Sequence, residues 1–175
     1  GHVNAQLNLG VIYKNGEGVA PDYEKSVYWL EKAVFQGHSA AMTNLGWMYE
    51  NGKGVVQDYK KAFAMYSKAA DKGQAEGQLN LGIMYNKGKG IERNYKWAVF
   101  WYKQAADKGN AEAQLNLGIM FKYGRGVEEN YTQAVNWFKM SAEQGNVEAQ
   151  SNLGWMYEYG KGVEQDYSEA ISWYQ

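Results

Sequence analysis

The chain reads as an all-α fold, a right-handed α/α superhelix (solenoid) of five 36-residue helix-turn-helix repeats. Three observations predict it. Glycines recur at Gly1, Gly37, Gly73, Gly109 and Gly145, and at that spacing of 36 residues the sequence aligns without a gap. Each repeat carries two apolar stripes at helical spacing, such as Ala113, Leu117, Met120 and Phe121 at i, i+4, i+7 and i+8. Between the stripes stands a Gly-x-Gly pair followed four residues later by Asp or Asn, a helix stop followed by a helix start. One such hairpin cannot cover its own apolar faces, so the repeats must stack on a continuous core.

The repeats run 1–36, 37–72, 73–108, 109–144 and 145–175, the last incomplete, and together form a single expected domain, 1–175. The first helix of each ends at Gly16/Gly18, Gly52/Gly54, Gly88/Gly90, Gly124/Gly126 or Gly160/Gly162. The second opens at Asp22, Asp58, Asn94, Asn130 or Asp166, whose side chains can accept from the free N–H groups of a new helix turn. It continues as in Tyr131, Ala134, Val135, Trp137, Phe138, Ser141 and Ala142, a wide apolar stripe with polar residues opposite. Ten helices are expected. Gly10, Gly46, Gly82, Gly118 and Gly154 fall inside the first helices, where glycine costs about 1 kcal/mol, so close helix packing is the expected compensation.

A chain of 175 residues with 45% hydrophobic and 15% aromatic content has enough apolar material for a folded domain. A formal net charge of −1 gives no global field for nucleic acid or an anionic membrane. There is no cysteine, which excludes disulfides, thiolate metal sites and cysteine nucleophiles. No stretch reaches the roughly 18 apolar residues of a membrane span. Gly1 is not a start methionine, so the expectation is a soluble mature protein or fragment, cytoplasmic, or secreted or periplasmic after signal removal.

The motif itself resembles a known family. Ala-x-x-x-Leu-Gly-x-Met-Tyr, Gly-x-Gly-Val and Asp-Tyr-x-x-Ala-x-x-Trp-Tyr-x-x-Ala-Ala-x-x-Gly are similar to the Sel-1-like repeat, a relative of the tetratricopeptide repeat. In the third repeat the carriers are Leu81, Gly82, Met84, Tyr85, Gly88, Gly90, Ile91, Tyr95, Ala98, Trp101, Tyr102, Ala105 and Ala106. The resemblance spans the chain and implies adaptor or scaffold proteins that bind other proteins, common in bacteria, with no shared catalytic activity. The chain departs from the disulfide-stapled members by lacking cysteine. Its first repeat departs at Ser26, Leu30 and Val34, and the last stops at Gln175 before its Ala-Ala-x-x-Gly segment, so a longer array or an end-to-end contact is expected.

Nothing in the pattern forms a catalytic, cofactor or metal site. His2 and His38 share a position with Gln74, Asn110 and Asn146, which suits helix opening better than metal binding. The Gly-x-Gly pairs follow a helix rather than a strand and lack the ending of a phosphate loop. Glu76, Glu112 and Glu148 sit in first turns, where the helix dipole favours negative charge. Asn130-Tyr131-Thr132 fits a glycosylation sequon, but Asn130 occupies the capping position. No nucleophile, base and orienting group recur together, so an enzyme is not expected.

A second stripe remains on each first helix, at the fourth, eighth, eleventh and fifteenth positions. The eighth is Asn8, Asn44, Asn80, Asn116 and Asn152, despite the modest helix propensity of asparagine. Two readings stand: amides bonded to the neighbouring repeat's backbone, or an amide ladder offered to a bound chain. The eleventh position varies (Val11, Trp47, Ile83, Ile119, Trp155), as does the fifteenth (Asn15, Asn51, Lys87, Tyr123, Tyr159). A protein or peptide partner is therefore expected in the concave groove of the first helices, against Asn44, Trp47, Asn80, Ile83, Asn116, Ile119, Tyr123, Asn152 and Trp155. Packing against an adjacent helix is the alternative for the two tryptophans. Tyr28, Phe35, Trp97 and Phe100 on the second helices pack locally or form another contact surface, and exposed Trp and Tyr also suit carbohydrate or cell-wall binding. Net charge runs −1, +2, +3, −1 and −4 along the repeats, which would orient a partner of opposite polarity.

Overall fold

A computed structural model describes residues 1–175 as ten α-helices and no strand. The first helices of the repeats are α1 (Val3–Asn15), α3 (Ser39–Asn51), α5 (Ala75–Lys87), α7 (Ala111–Lys122) and α9 (Val147–Glu158). The second helices are α2 (Tyr23–Phe35), α4 (Tyr59–Asp71), α6 (Tyr95–Ala106), α8 (Tyr131–Ala142) and α10 (Tyr167–Tyr174). The architecture is the all-α solenoid that the period predicts.

Local chemistry sets the helix ends. Every second helix opens on a side-chain cap: Asp22 accepts from Lys25 N–H, Asp58 from Lys61, Asn94 from Trp97, Asn130 from Gln133 and Asp166 from Glu169. Asn130 is thus a cap, as its position predicts. Gln74, Asn110 and Asn146 cap their helices in the same way, whereas His2 and His38 occupy the N-cap without a side-chain bond.

The molecule divides into two compact units, Gly1–Arg93 with α1 to α5 and Asn94–Gln175 with α6 to α10. In the first unit each helix packs on the next, and α3 also touches α1 and α5. Its core gathers Val27, Leu30, Ala33, Ala41, Leu45 and Met48. The second unit packs α6 to α10 in sequence around Ala134, Phe138, Ala142, Ala149, Leu153 and Met156.

Two glycines show how close this packing is. At Gly46 a Cβ would stand 2.7 Å from the Tyr66 ring, well inside carbon contact distance, so α3 meets α4 there only without a side chain. Gly54 has φ +70°, and a Cβ on it would collide with the Tyr23 carbonyl of the preceding repeat. The departures of the first repeat have a physical basis: Leu30 fills the space against Gly10, and the buried Ser26 hydroxyl donates to the Gly10 carbonyl at 2.7 Å.

Candidate functional site

The first-helix stripe borders the helix–helix core, against which Ile119 and Trp155 pack. Asn44, Asn80, Asn116, Asn152, Ile83, Ile119 and Trp155 are half-buried, while Trp47 is 37% and Tyr123 56% exposed. The first unit brings Asn44, Trp47 and Asn80 together around an open cavity of about 380 Å³, with Ile83 outside its lining. Asn116, Ile119, Tyr123, Asn152 and Trp155 belong to the second unit.

Three of the five asparagine amides are held by their own helices. Nδ2 of Asn44, Asn116 and Asn152 donates at 2.9 Å to the carbonyl four residues earlier, on Ala40, Glu112 and Glu148. The bond runs within the helix, rather than to a neighbouring repeat's backbone as one sequence reading supposed. This arrangement uses the donor and leaves Oδ1 as acceptor. In two repeats a lysine from the preceding repeat takes it: Lys14 Nζ donates to Asn44 Oδ1 at 2.6 Å, and Lys122 Nζ to Asn152 Oδ1 at 3.0 Å.

The same lysines lie over the tryptophans. Lys14 Nζ is 5.5 Å from the centre of the Trp47 ring, and Lys122 Nζ is 4.1 Å from that of Trp155. Burial lowers the pKa of both ammonium groups, offset at Lys14 by the nearby Glu76 and Glu17 carboxylates. The tryptophans differ in their other neighbours. Trp155 stacks on Tyr159 at 5.2 Å and packs on the second-unit core, whereas Trp47 has Asn51 four residues on, whose amide donates to the Trp47 carbonyl.

Sequence reasoning did not single out Lys14, Lys122 or Thr43, and gave Gln74 a helix-opening role only. Thr43, on the cavity lining, donates at 2.7 Å to Gln74 Oε1, which also caps α5 and so links two repeats. The signal for the lysines lies in their shared fourteenth position, which reads Lys14, Glu50, Asn86, Lys122 and Glu158. Lysine precedes each repeat that carries tryptophan at the eleventh position, Trp47 and Trp155. In the second and fifth repeats glutamate meets a tyrosine hydroxyl of the second helix: Tyr66 donates to Glu50 and Tyr174 to Glu158, both at 2.9 Å, whereas the third repeat sets Asn86 beside a helix that carries Tyr102. Glu50 also accepts from Lys89 at 2.9 Å, which raises the lysine pKa.

The second helices expose other aromatics. Trp97 (48% exposed) and Phe100 (45%) pack edge-to-face at 5.5 Å, Tyr28 lies edge-on to Trp29, and Phe35 is 93% exposed. Tyr167, Ile171 and Tyr174 of α10 are also exposed. No group of His, Asp or Glu side chains is placed to hold a metal ion, and no helix is long and apolar enough to cross a membrane.

The sequence pattern of the Sel1 repeat matches residues 3–38, 39–74, 75–110, 111–146 and 147–175, nearly the whole chain. The chain belongs to the Sel1 repeat family. Its repeats superpose on a protective antigen with this repeat fold from uropathogenic Escherichia coli, with TM-score 0.92, 38% identity and 98% of the chain covered. The chain spans 37% of that protein's length. A Sel1 repeat protein from Oxalobacter formigenes gives TM-score 0.92 and 35% identity, covering 99% of this chain and 69% of the other. An immunity protein from Pseudomonas aeruginosa is similar at 27% identity and TM-score 0.65, covering 99% of this chain and 64% of its own. No curated protein matches the chain.

Proposed function

We propose that this Sel1 repeat protein is a non-enzymatic scaffold that binds a protein or peptide partner along the stripe of its first helices. The observation that carries the reading is the combination of half-buried amides with large apolar side chains that are exposed at Trp47 and Tyr123 and half-buried at Ile83, Ile119 and Trp155: Asn44, Trp47, Asn80 and Ile83 in the first unit, and Asn116, Ile119, Tyr123, Asn152 and Trp155 in the second. The Asn80 amide and Oδ1 of Asn116 are half-buried and make no side-chain bond within the protein, so their acceptors suit the N–H groups of a bound chain. A sugar is a poorer occupant, because it would stack on an indole face and Lys122 already covers one face of Trp155.

The test is to select binding peptides from a random library and measure their affinity for variants. Tryptophan at an interface centre often contributes about 2 kcal/mol, so Trp47→Ala and Trp155→Ala should each weaken binding roughly thirtyfold with the helical signal intact. Asn80→Ala should lower affinity without lowering the melting temperature. Peptides lost only on changing Tyr28, Phe35, Trp97 or Phe100 would move the site to the second helices and refute the assignment.

A further inference from the structure

We propose that the partner is anchored by side-chain carboxylates at two like sites, Lys14–Asn44–Trp47 in the first unit and Lys122–Asn152–Trp155 in the second, with an apolar residue beside each carboxylate against the indole. The proposal rests on the peptide-binding reading of the stripe and names the chemistry that the stripe selects.

The two lysines are unlike the ion-paired ones. Lys25, Lys89 and Lys103 each lie 2.9 Å from a carboxylate, on Asp22, Glu50 and Asp107. Lys14 and Lys122 have no carboxylate at ion-pair distance; each spends one N–H on an asparagine oxygen and keeps two further donors. Both are drawn partly out of water against an indole, and their lowered pKa records that desolvation. A partly desolvated cation with open donors is stabilised by an arriving anion, through a charge-assisted hydrogen bond.

Neither lysine serves its own hairpin. The second helix behind it presents Leu30 or Phe138, which offer no hydroxyl, and the ammonium reaches instead to the next repeat. Where that helix presents Tyr66 or Tyr174, the same position carries a glutamate turned inward to the hydroxyl. The Lys–Asn–Trp set is thus built twice, 108 positions apart in sequence, and is missing from the intervening repeats, where Ile83 and Ile119 replace tryptophan.

In the first unit, Lys14 and Glu76 both line the 380 Å³ cavity. A bound segment would set its carboxylate at Lys14 and turn backbone N–H groups towards Glu76. Each site lies within one unit, and the assigned anchor at each is an Asp or Glu side chain of the bound segment.

The test is selection of C-terminally amidated random peptides on the whole protein, followed by affinity measurement. Selected peptides should be enriched in Asp or Glu next to an aliphatic or aromatic residue. Changing that acid to its amide should weaken wild-type binding about tenfold, the effect of one charge-assisted hydrogen bond. The same change should matter little to the combined Lys14→Met and Lys122→Met variant, while Lys14→Glu with Lys122→Glu should shift selection towards Lys and Arg. Peptides that lose affinity on Trp47→Ala but show no acidic enrichment, or no coupling to the lysines, would overturn the carboxylate sites and leave the groove reading standing. Failure to select any peptide sensitive to Trp47→Ala or Trp155→Ala would overturn both.

Discussion

Replacing Gly46 by alanine tests how the hairpins close. A Cβ there would lie 2.7 and 2.8 Å from Cε1 and Cδ1 of Tyr66, where carbon atoms ordinarily stay about 3.5 to 4.0 Å apart. The ring must therefore retreat by about an ångström. It has nowhere easy to go: Tyr66 is fully buried, and its hydroxyl is tied to Glu50, itself held by Lys89. Overpacking of this kind costs about 1 to 3 kcal/mol, and the gain in helix propensity from glycine to alanine returns about 1 kcal/mol. The expected net effect is a loss of up to about 2 kcal/mol, or up to roughly 8 °C in melting temperature for a chain of this size. Gly154→Ala is the internal control. Its neighbour Tyr174 is 49% exposed near the end of α10 and can swing away, so that variant should stay within about 0.5 kcal/mol of the parent. Urea titration and thermal melts followed by circular dichroism measure both. Stabilisation by Gly46→Ala, or equal effects at the two sites, would refute the close-approach argument.

Loss of a cap should show as cleanly. Asp58→Ala removes the acceptor for Lys61 N–H and should cost about 1 kcal/mol in a urea titration, with Asp58→Asn restoring most of it, since Asn94 and Asn130 cap their helices alike. Stability should also fall in alkali. Burial first, and then the Glu50 carboxylate, raise the Tyr66 pKa well above 10, so the fold retains a proton that the unfolded chain releases. This stabilisation is complete below about pH 10 and declines above it, by up to about 1.4 kcal/mol per pH unit. Lys89, also raised, acts in the same direction. Tyr66→Phe should flatten the alkaline slope of unfolding free energy against pH, and an unchanged slope would contradict the assignment.

Much of this was legible in the sequence because repeats report the same local chemistry five times. The Asp/Asn start of the second helices is a within-turn interaction, and all five caps form. The helix-opening role of the second position holds through Gln74, Asn110 and Asn146, while His2 and His38 take the backbone geometry without the side-chain bond. The asparagine column marked the stripe, but the direction of its bonds was not readable, because an amide at that place can turn to its own helix or to the next. Lys14 and Lys122 were invisible for a different reason. Their meaning appears only when one repeat's fourteenth position is read together with its own second helix and with the next repeat's tryptophan. The unequal exposure of Trp47 and Trp155 likewise depends on a neighbour, Asn51 in one case and the stacking ring of Tyr159 in the other.

Site-specific photo-crosslinking tests the binding face most directly. A benzophenone side chain replaces Ile83 or Ile119 on the first helices, and Phe35 or Phe100 on the second, with the full chain expressed in its native cell and adducts identified by mass. The stripe reading predicts a common protein adduct from positions 83 and 119 and none from 35 and 100. The same adduct from positions 35 and 100 alone would contradict it.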